Sequence, residues 1–135
     1  MIKSSDLKKI EAHALKTFPL ECYGLFIGTF DQDRVEVKEV VNGKNMAGSP
    51  VAFEADPEFV YVEHTKAEKR GLRLVGIYHS HPNLHAFVSS RDADFMKYWQ
   101  NLAWLILGLS EDRVFESKAF SMKEDKIEEL EVVVS

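Results

Sequence analysis

The chain has 135 residues, 45% of them apolar and 29% charged, with a formal net charge of −5. That size predicts one domain with a single buried core, and the composition is that of a folded globular protein. The negative balance argues against a general phosphate-backbone binder, and the lone Cys22 excludes both an internal disulfide and the His/Cys/Cys metal set of zinc nucleobase deaminases.

The first element is an amphipathic helix over Asp6 to Phe18, with Leu7, Ile10, Ala14 and Phe18 at helical spacing, Ser4 or Ser5 as its cap and Pro19 as its stop. Glu21 to Phe30 reads as a strand, and Val35 to Val41 as its antiparallel hairpin partner. Asn42 to Pro50, rich in Gly and Asn, is a loop, and a short strand is expected around Val51 to Glu54. Asp56-Pro57 is a helix start, since an aspartate caps free amides and proline suits the first turn. That helix should run to about Arg70 and stop at Gly71.

From Leu72 the pattern becomes that of a strand. Strict alternation puts Val75, Ile77, His79 and His81 on one face and Leu74, Gly76, Tyr78 and Ser80 on the other. A third helix starts near Ser89 or Ser90 and carries Phe95, Met96, Trp99 and Leu102 on one face. Trp104 to Leu109 is apolar throughout, as a central strand buried on both sides would be. Val114 to Met122 and Ile127 to Val134 are two further strands. Trp99, Trp104 and Cys22 are expected in the core, His13 on a helix surface and His64 partly buried. The acidic stretch from Lys123 to Glu131 is expected in solvent. With no leader-like segment and no apolar run long enough to span a bilayer, the expected compartment is the cytoplasm.

The chemistry concentrates between Tyr78 and Asp94. Histidines at i and i+2 of a strand share a face, so both rings can lean onto one metal ion. Alone, such a pair is weak evidence. Asp92 adds to it. One reading makes Ser89 and Asp92 a capping box at the start of the third helix. The other notes that Asp92 shares the inward face with Phe95, Met96 and Trp99, where a carboxylate without a partner would cost several kcal/mol.

Taken together, Glu21, His79-x-His81-Pro82 and Ser89-x-x-Asp92 resemble the JAMM signature of the MPN+ metalloproteases, E…H-[ST]-H-P-x(6)-S-x-x-D, at every defining position. The flanks, Pro19-Leu20-Glu21-Cys22-Tyr23-Gly24-Leu25 and Val75-Gly76-Ile77-Tyr78, are similar to the family's as well. The resemblance implies a single JAMM/MPN+ domain over residues 1–135. It also implies a cytidine deaminase-like α/β fold, a mixed and mostly antiparallel sheet flanked by helices. It implies one Zn²⁺ held by His79, His81 and Asp92, Glu21 as general base for the attacking water, and Ser89 as a stabiliser of the tetrahedral oxyanion. The implied substrate is the C-terminal diglycine tail of a ubiquitin-like or sulfur-carrier protein, cleaved by a compact prokaryotic-type zinc isopeptidase or peptidase.

Val88 departs from the proline that many compact members carry there, and the run Ala86-Phe87-Val88-Ser89-Ser90 is similar instead to AMSH-type deubiquitinases. Phe87 and the Asn42 to Pro50 loop are candidate substrate contacts; His85 is nearer the site than the other histidines outside the motif and could approach substrate, but the reading preferred for it is a histidine without a functional role. Two other functions fit the same fold: a non-catalytic MPN scaffold that binds partner proteins, and a zinc amidohydrolase of a small molecule.

Overall fold

The computed structural model describes residues 1–32, 34–49 and 53–135. Among the described residues, three helices and six strands follow in chain order: α1 (Ser4–Thr17), β1 (Tyr23–Asp31), β2 (Arg34–Asn42), α2 (Pro57–Glu68), β3 (Arg73–Pro82), α3 (Ser90–Tyr98), β4 (Ala103–Leu109), β5 (Val114–Lys123) and β6 (Lys126–Leu130). The strands form one sheet in the order β2-β1-β3-β4-β5-β6. Every pairing is antiparallel except that of β3 with β4. A parallel pair needs a crossover, and α3 supplies it. The mixed, mostly antiparallel sheet matches the expectation from sequence.

The sheet has a core on each face. Ile10 and Ala14 of α1 cover Phe26, Val75, Tyr78, Leu105 and Leu107. On the other face, Ala67 of α2 and Met96 of α3 close over Leu25, Ile27, Leu74, Ile77 and Trp104. β4 is central and apolar because it must serve both. The phenol of Tyr78 donates to Asn42 Oδ1 (2.8 Å) and accepts from His13 Nδ1 (2.7 Å). His13 is thus half-buried and ties α1 to the sheet, where the sequence suggested only a helix surface.

Several boundaries differ from the sequence reading. Ser4 and Ser5 lie inside α1, whose cap residue is Lys3 with no side-chain hydrogen bond. α2 begins as expected, with Asp56 accepting from the Glu58 amide, and gives way to Gly71 at φ +74°. Within the expected Val51 to Glu54 strand, Val51 and Ala52 lie outside the described residues, as does Pro50 of the preceding loop. Phe53 and Glu54 are irregular. β6 stops at Leu130, and beyond it Val134 makes only a single bridge to Ile2. Trp99 caps the end of α3 at 38% exposure rather than entering the core, whereas Trp104 is buried as expected.

The alternation expected along β3 fails at one point. Phe26 pairs with Gly76 and Ile27 with Leu74, so Val75 is skipped and forms a bulge. Leu74 therefore packs with Ile77 beneath α2 and α3, and Val75 with Tyr78 beneath α1. From Gly76 onward the period-two rule holds. His79 and His81 emerge together on the α2/α3 face.

Candidate metal centre

The carboxyl end of β3 presents His79 and His81, and the first turn of α3 lowers Asp92 onto them. His79 Nε2 lies 3.0 Å from Asp92 Oδ1, His81 Nε2 lies 3.1 Å from Asp92 Oδ2, and the two Nε2 atoms are 3.2 Å apart. Glu21, just before β1, completes the group. One donor atom from each of Glu21, His79, His81 and Asp92 falls within 4.8 Å of the others, and all four residues are buried. The structure thus brings together four of the five residues singled out from sequence, and Ser89 joins them through Asp92.

Asp92 answers to both readings at once. Ser89 Oγ accepts the Asp92 amide at 3.0 Å and Asp92 Oδ2 accepts the Ser89 amide at 3.1 Å, a complete capping box. The same carboxylate faces both imidazoles. Cap and candidate ligand are one side chain.

The donor set fits a metal ion. A carbonyl can only accept, so the 3.2 Å contact of His81 Nδ1 with the His85 carbonyl makes Nδ1 the donor and leaves a lone pair on Nε2 of the neutral ring. In the neutral ring that lone pair points at a carboxylate and at a second imidazole nitrogen; a proton on Nε2 relieves the repulsion in the metal-free protein, and a metal ion between the donors would relieve it for all of them at once. Donors on a tetrahedron about 2.0–2.1 Å from a zinc ion stand about 3.3 Å apart, close to the separation found here.

The electrostatics follow. Burial lowers the pKa of the fully enclosed His79 more than Asp92 raises it. For His81, burial acts in the same direction but the hydrogen bond and charge of Asp92 outweigh it, so its pKa stands above the ordinary value. Burial opposes ionisation of Asp92 as well, yet the hydrogen bonds from both histidines hold its carboxyl far below the usual range. Burial pushes Glu21 up to about 8, with the positive His81 and Arg91 pulling down and the charge of Asp92 adding to the rise.

A carboxyl whose folded pKa is raised binds its proton more tightly in the native state. The stability it contributes is complete below the unfolded value of 4.5 and is lost as pH rises toward 8. His79 and His81 shift in opposite directions and partly offset each other across that window. The metal-free protein is therefore expected to unfold more easily at pH 8 than at pH 5, with a slope approaching about 1.4 kcal/mol per pH unit. Denaturant melts in chelator at several pH values check this, and Glu21→Gln should remove most of the slope.

The surrounding shell was not readable as such from sequence. Phe53 stacks between Tyr23 and Phe95 and lies 5.1 Å from the His79 ring, which Trp104 meets edge-on at 5.9 Å. Phe87, 45% exposed, packs edge-on against His81 at 5.2 Å, a position suited to substrate contact. The His85 ring turns away from the cluster to Glu116 (2.8 Å), and only its carbonyl serves the site. Glu116 also accepts the Ala86 amide at 3.1 Å. Beneath this turn lies Gly108, where a Cβ would come within 2.5 Å of the Leu84 carbonyl. Glu116 and Gly108 thus seat the segment whose carbonyl orients His81. Glu116→Ala is expected to weaken metal binding by about 10-fold with helix and strand content unchanged, as read by chelator competition and circular dichroism.

Residues 3–123 match the family described as prokaryotic homologs of the JAB domain. The chain belongs to the prokaryotic JAB family. Within the curated proteins, this JAB-family chain is 38% identical over 92 residues to a desampylase of Pyrococcus furiosus, a match covering 67% of this chain and 62% of that protein. It is 34% identical over 110 residues to a probable TtuB-protein conjugate cleaving protease of Thermus thermophilus, covering 81% and 70% of the two chains. Among solved structures, a solution structure of a Desulfitobacterium hafniense protein superposes with TM-score 0.85 at 28% identity, over 99% of this chain and 91% of that one. No helix among the described residues is long and apolar enough to cross a membrane.

Proposed function

We propose that this JAB-family chain is a zinc-dependent isopeptidase that cleaves after the C-terminal diglycine of ubiquitin-like or sulfur-carrier proteins, with residues 1–135 as one catalytic domain. The observation that carries the reading is the buried convergence of two imidazoles and two carboxylates within 4.8 Å. His79, His81 and Asp92 would hold one zinc ion per chain. When bound, zinc would lower the pKa of water to about 7 and polarise the scissile carbonyl.

The remaining steps belong to the protein's own side chains. Glu21 takes the proton from the attacking water and returns it to the leaving amine. Its burial suits both halves of that task, because a desolvated carboxyl holds a proton more readily than an exposed one. The Ser89 hydroxyl accepts the Asp92 amide and keeps its own proton free to donate to the tetrahedral oxyanion. Phe87 and the loop over residues 43–49 flank the tail as it enters.

The substrate class draws support from the two curated relatives, whose names specify desampylation and cleavage of TtuB-protein conjugates. A diglycine tail is narrow and extended, the form a strand-like groove accepts. The test is incubation with diglycine-tailed modifiers and sulfur carriers in conjugated form, with and without chelator, read by intact mass. Release of the intact modifier with a free diglycine terminus, blocked by chelator, is the expected result. Cleavage elsewhere, or none in the zinc-loaded protein, overturns the proposal.

A further inference from the structure

The main chain of Glu21 is gripped by the loop between β2 and α2. Its N–H donates to the Ser49 carbonyl at 2.8 Å, and its carbonyl accepts from Asn45 Nδ2 at 2.8 Å. On the opposite edge, the next residue pairs with β3: the Cys22 amide donates to Ser80 Oγ at 2.8 Å and the Ser80 amide to the Cys22 carbonyl at 3.0 Å. β2 ends at Asn42, and the last main-chain bond beside it runs from the Gly43 amide to the Tyr23 carbonyl at 2.9 Å. Beyond that point the Asn45 carboxamide takes the ladder position that a backbone amide would fill.

The other end of the same carboxamide organises the loop. Asn45 Oδ1 accepts the Ala47 amide and the Glu54 amide, both at 2.9 Å, and the Met46 amide donates to the Glu54 carbonyl at 3.0 Å. One planar group therefore joins both limbs of the loop to the peptide of Glu21. A small rotation of that peptide is carried to the carboxyl through the side-chain bonds, and a displacement of about 1 Å at a reacting group can cost on the order of 10²-fold in rate.

We propose that Asn45 is a positioning residue for the Glu21 carboxyl, coupling the conformation of the 43–49 loop to the placement of the proton-transferring group. This rests on the reading of Glu21 as the general base. Because the loop also flanks the entering tail, a substrate that presses on it acts on Glu21 through the Asn45 and Ser49 hydrogen bonds.

Two substitutions separate this role from plain loop support. Asn45→Asp keeps acceptors for the Ala47 and Glu54 amides but turns an oxygen toward the Glu21 carbonyl. Asn45→Ala removes both functions. Amide hydrogen exchange at Cys22, Ala47 and Glu54, zinc content, and kcat and KM on a diglycine-linked conjugate are measured for each.

For Asn45→Asp the expected result is exchange faster by about 10-fold at Cys22, whose amide shares a peptide with the Glu21 carbonyl that Asn45 holds, with protection of Ala47 and Glu54 retained. Its kcat should fall by about 10- to 100-fold at a KM within about twofold of the parent, with full zinc content. Asn45→Ala should also lose the loop amides and raise KM. A parent-like kcat in Asn45→Asp, or a change confined to KM in both variants, overturns the proposal. Should the parent protein cleave no conjugate, the proposed activity fails by itself. The exchange pattern still decides whether Asn45 holds Glu21, since unchanged protection of the Cys22 amide in Asn45→Asp refutes the grip.

Discussion

Glu21→Gln is expected to lower kcat by about 10²–10⁴-fold while leaving zinc content at one per chain, the range spanned by loss of a general acid–base group. The carboxamide keeps the volume and polarity of the side chain within a site where Glu21 is only 2% exposed, so packing around the cluster should survive. What it cannot do is exchange a proton with water. A variant that binds zinc normally, melts normally once loaded and releases no modifier isolates proton transfer from metal binding. Loss of zinc along with activity would show that Glu21 is a ligand, and the division of roles proposed above would fall.

Asp92→Asn should act at the other half of the site. An asparagine oxygen can still accept the Ser89 amide, and its backbone can still donate to Ser89 Oγ, so the capping box and the start of α3 are retained. The negative charge that faces both imidazoles is gone. Zinc affinity is therefore expected to fall by at least about 10²-fold, with activity lost in proportion at limiting metal and partly regained at high metal concentration. Chelator competition measures the first and a zinc titration of activity the second. An Asp92→Asn protein that binds zinc as tightly as the parent would remove Asp92 from the ligand set. Asp92→Ala tests the other duty of the residue, since it abolishes the cap as well and should fray the first turn of α3.

Much of this centre was legible because its parts carry chemical identity. His79, His81, Asp92 and Glu21 are residue types with metal-binding or acid–base character at a distinctive spacing, and Asp56-Pro57 marked a helix start for an equally local reason. The β4 run was legible because burial on both faces leaves only apolar residues. The rest depended on partners far along the chain. The Val75 bulge exists because β1 pairs with β3 out of simple register, which no alternation within β3 reveals. The His85 contribution is a carbonyl, a group every residue owns, and so it leaves no trace in residue identity. Asn45 read as ordinary loop composition, because its meaning lies in the Glu21 peptide it touches. Ser4 and Ser5 are good caps in principle, but the helix begins two residues before Asp6, with Lys3 as its cap, and takes both serines into its first turn.

The crossover through α3 has a consequence for how the molecule comes into being. His79, His81 and Asp92 belong to one continuous strand, turn and helix, whereas Glu21 enters from far upstream and arrives only when β1 docks against β3. Local segments close before distant ones, since shorter loops cost less entropy to form. On the roles proposed above, the three candidate ligands come together within one local segment, while the proton-transferring carboxyl joins them only through the long-range pairing of β1 with β3.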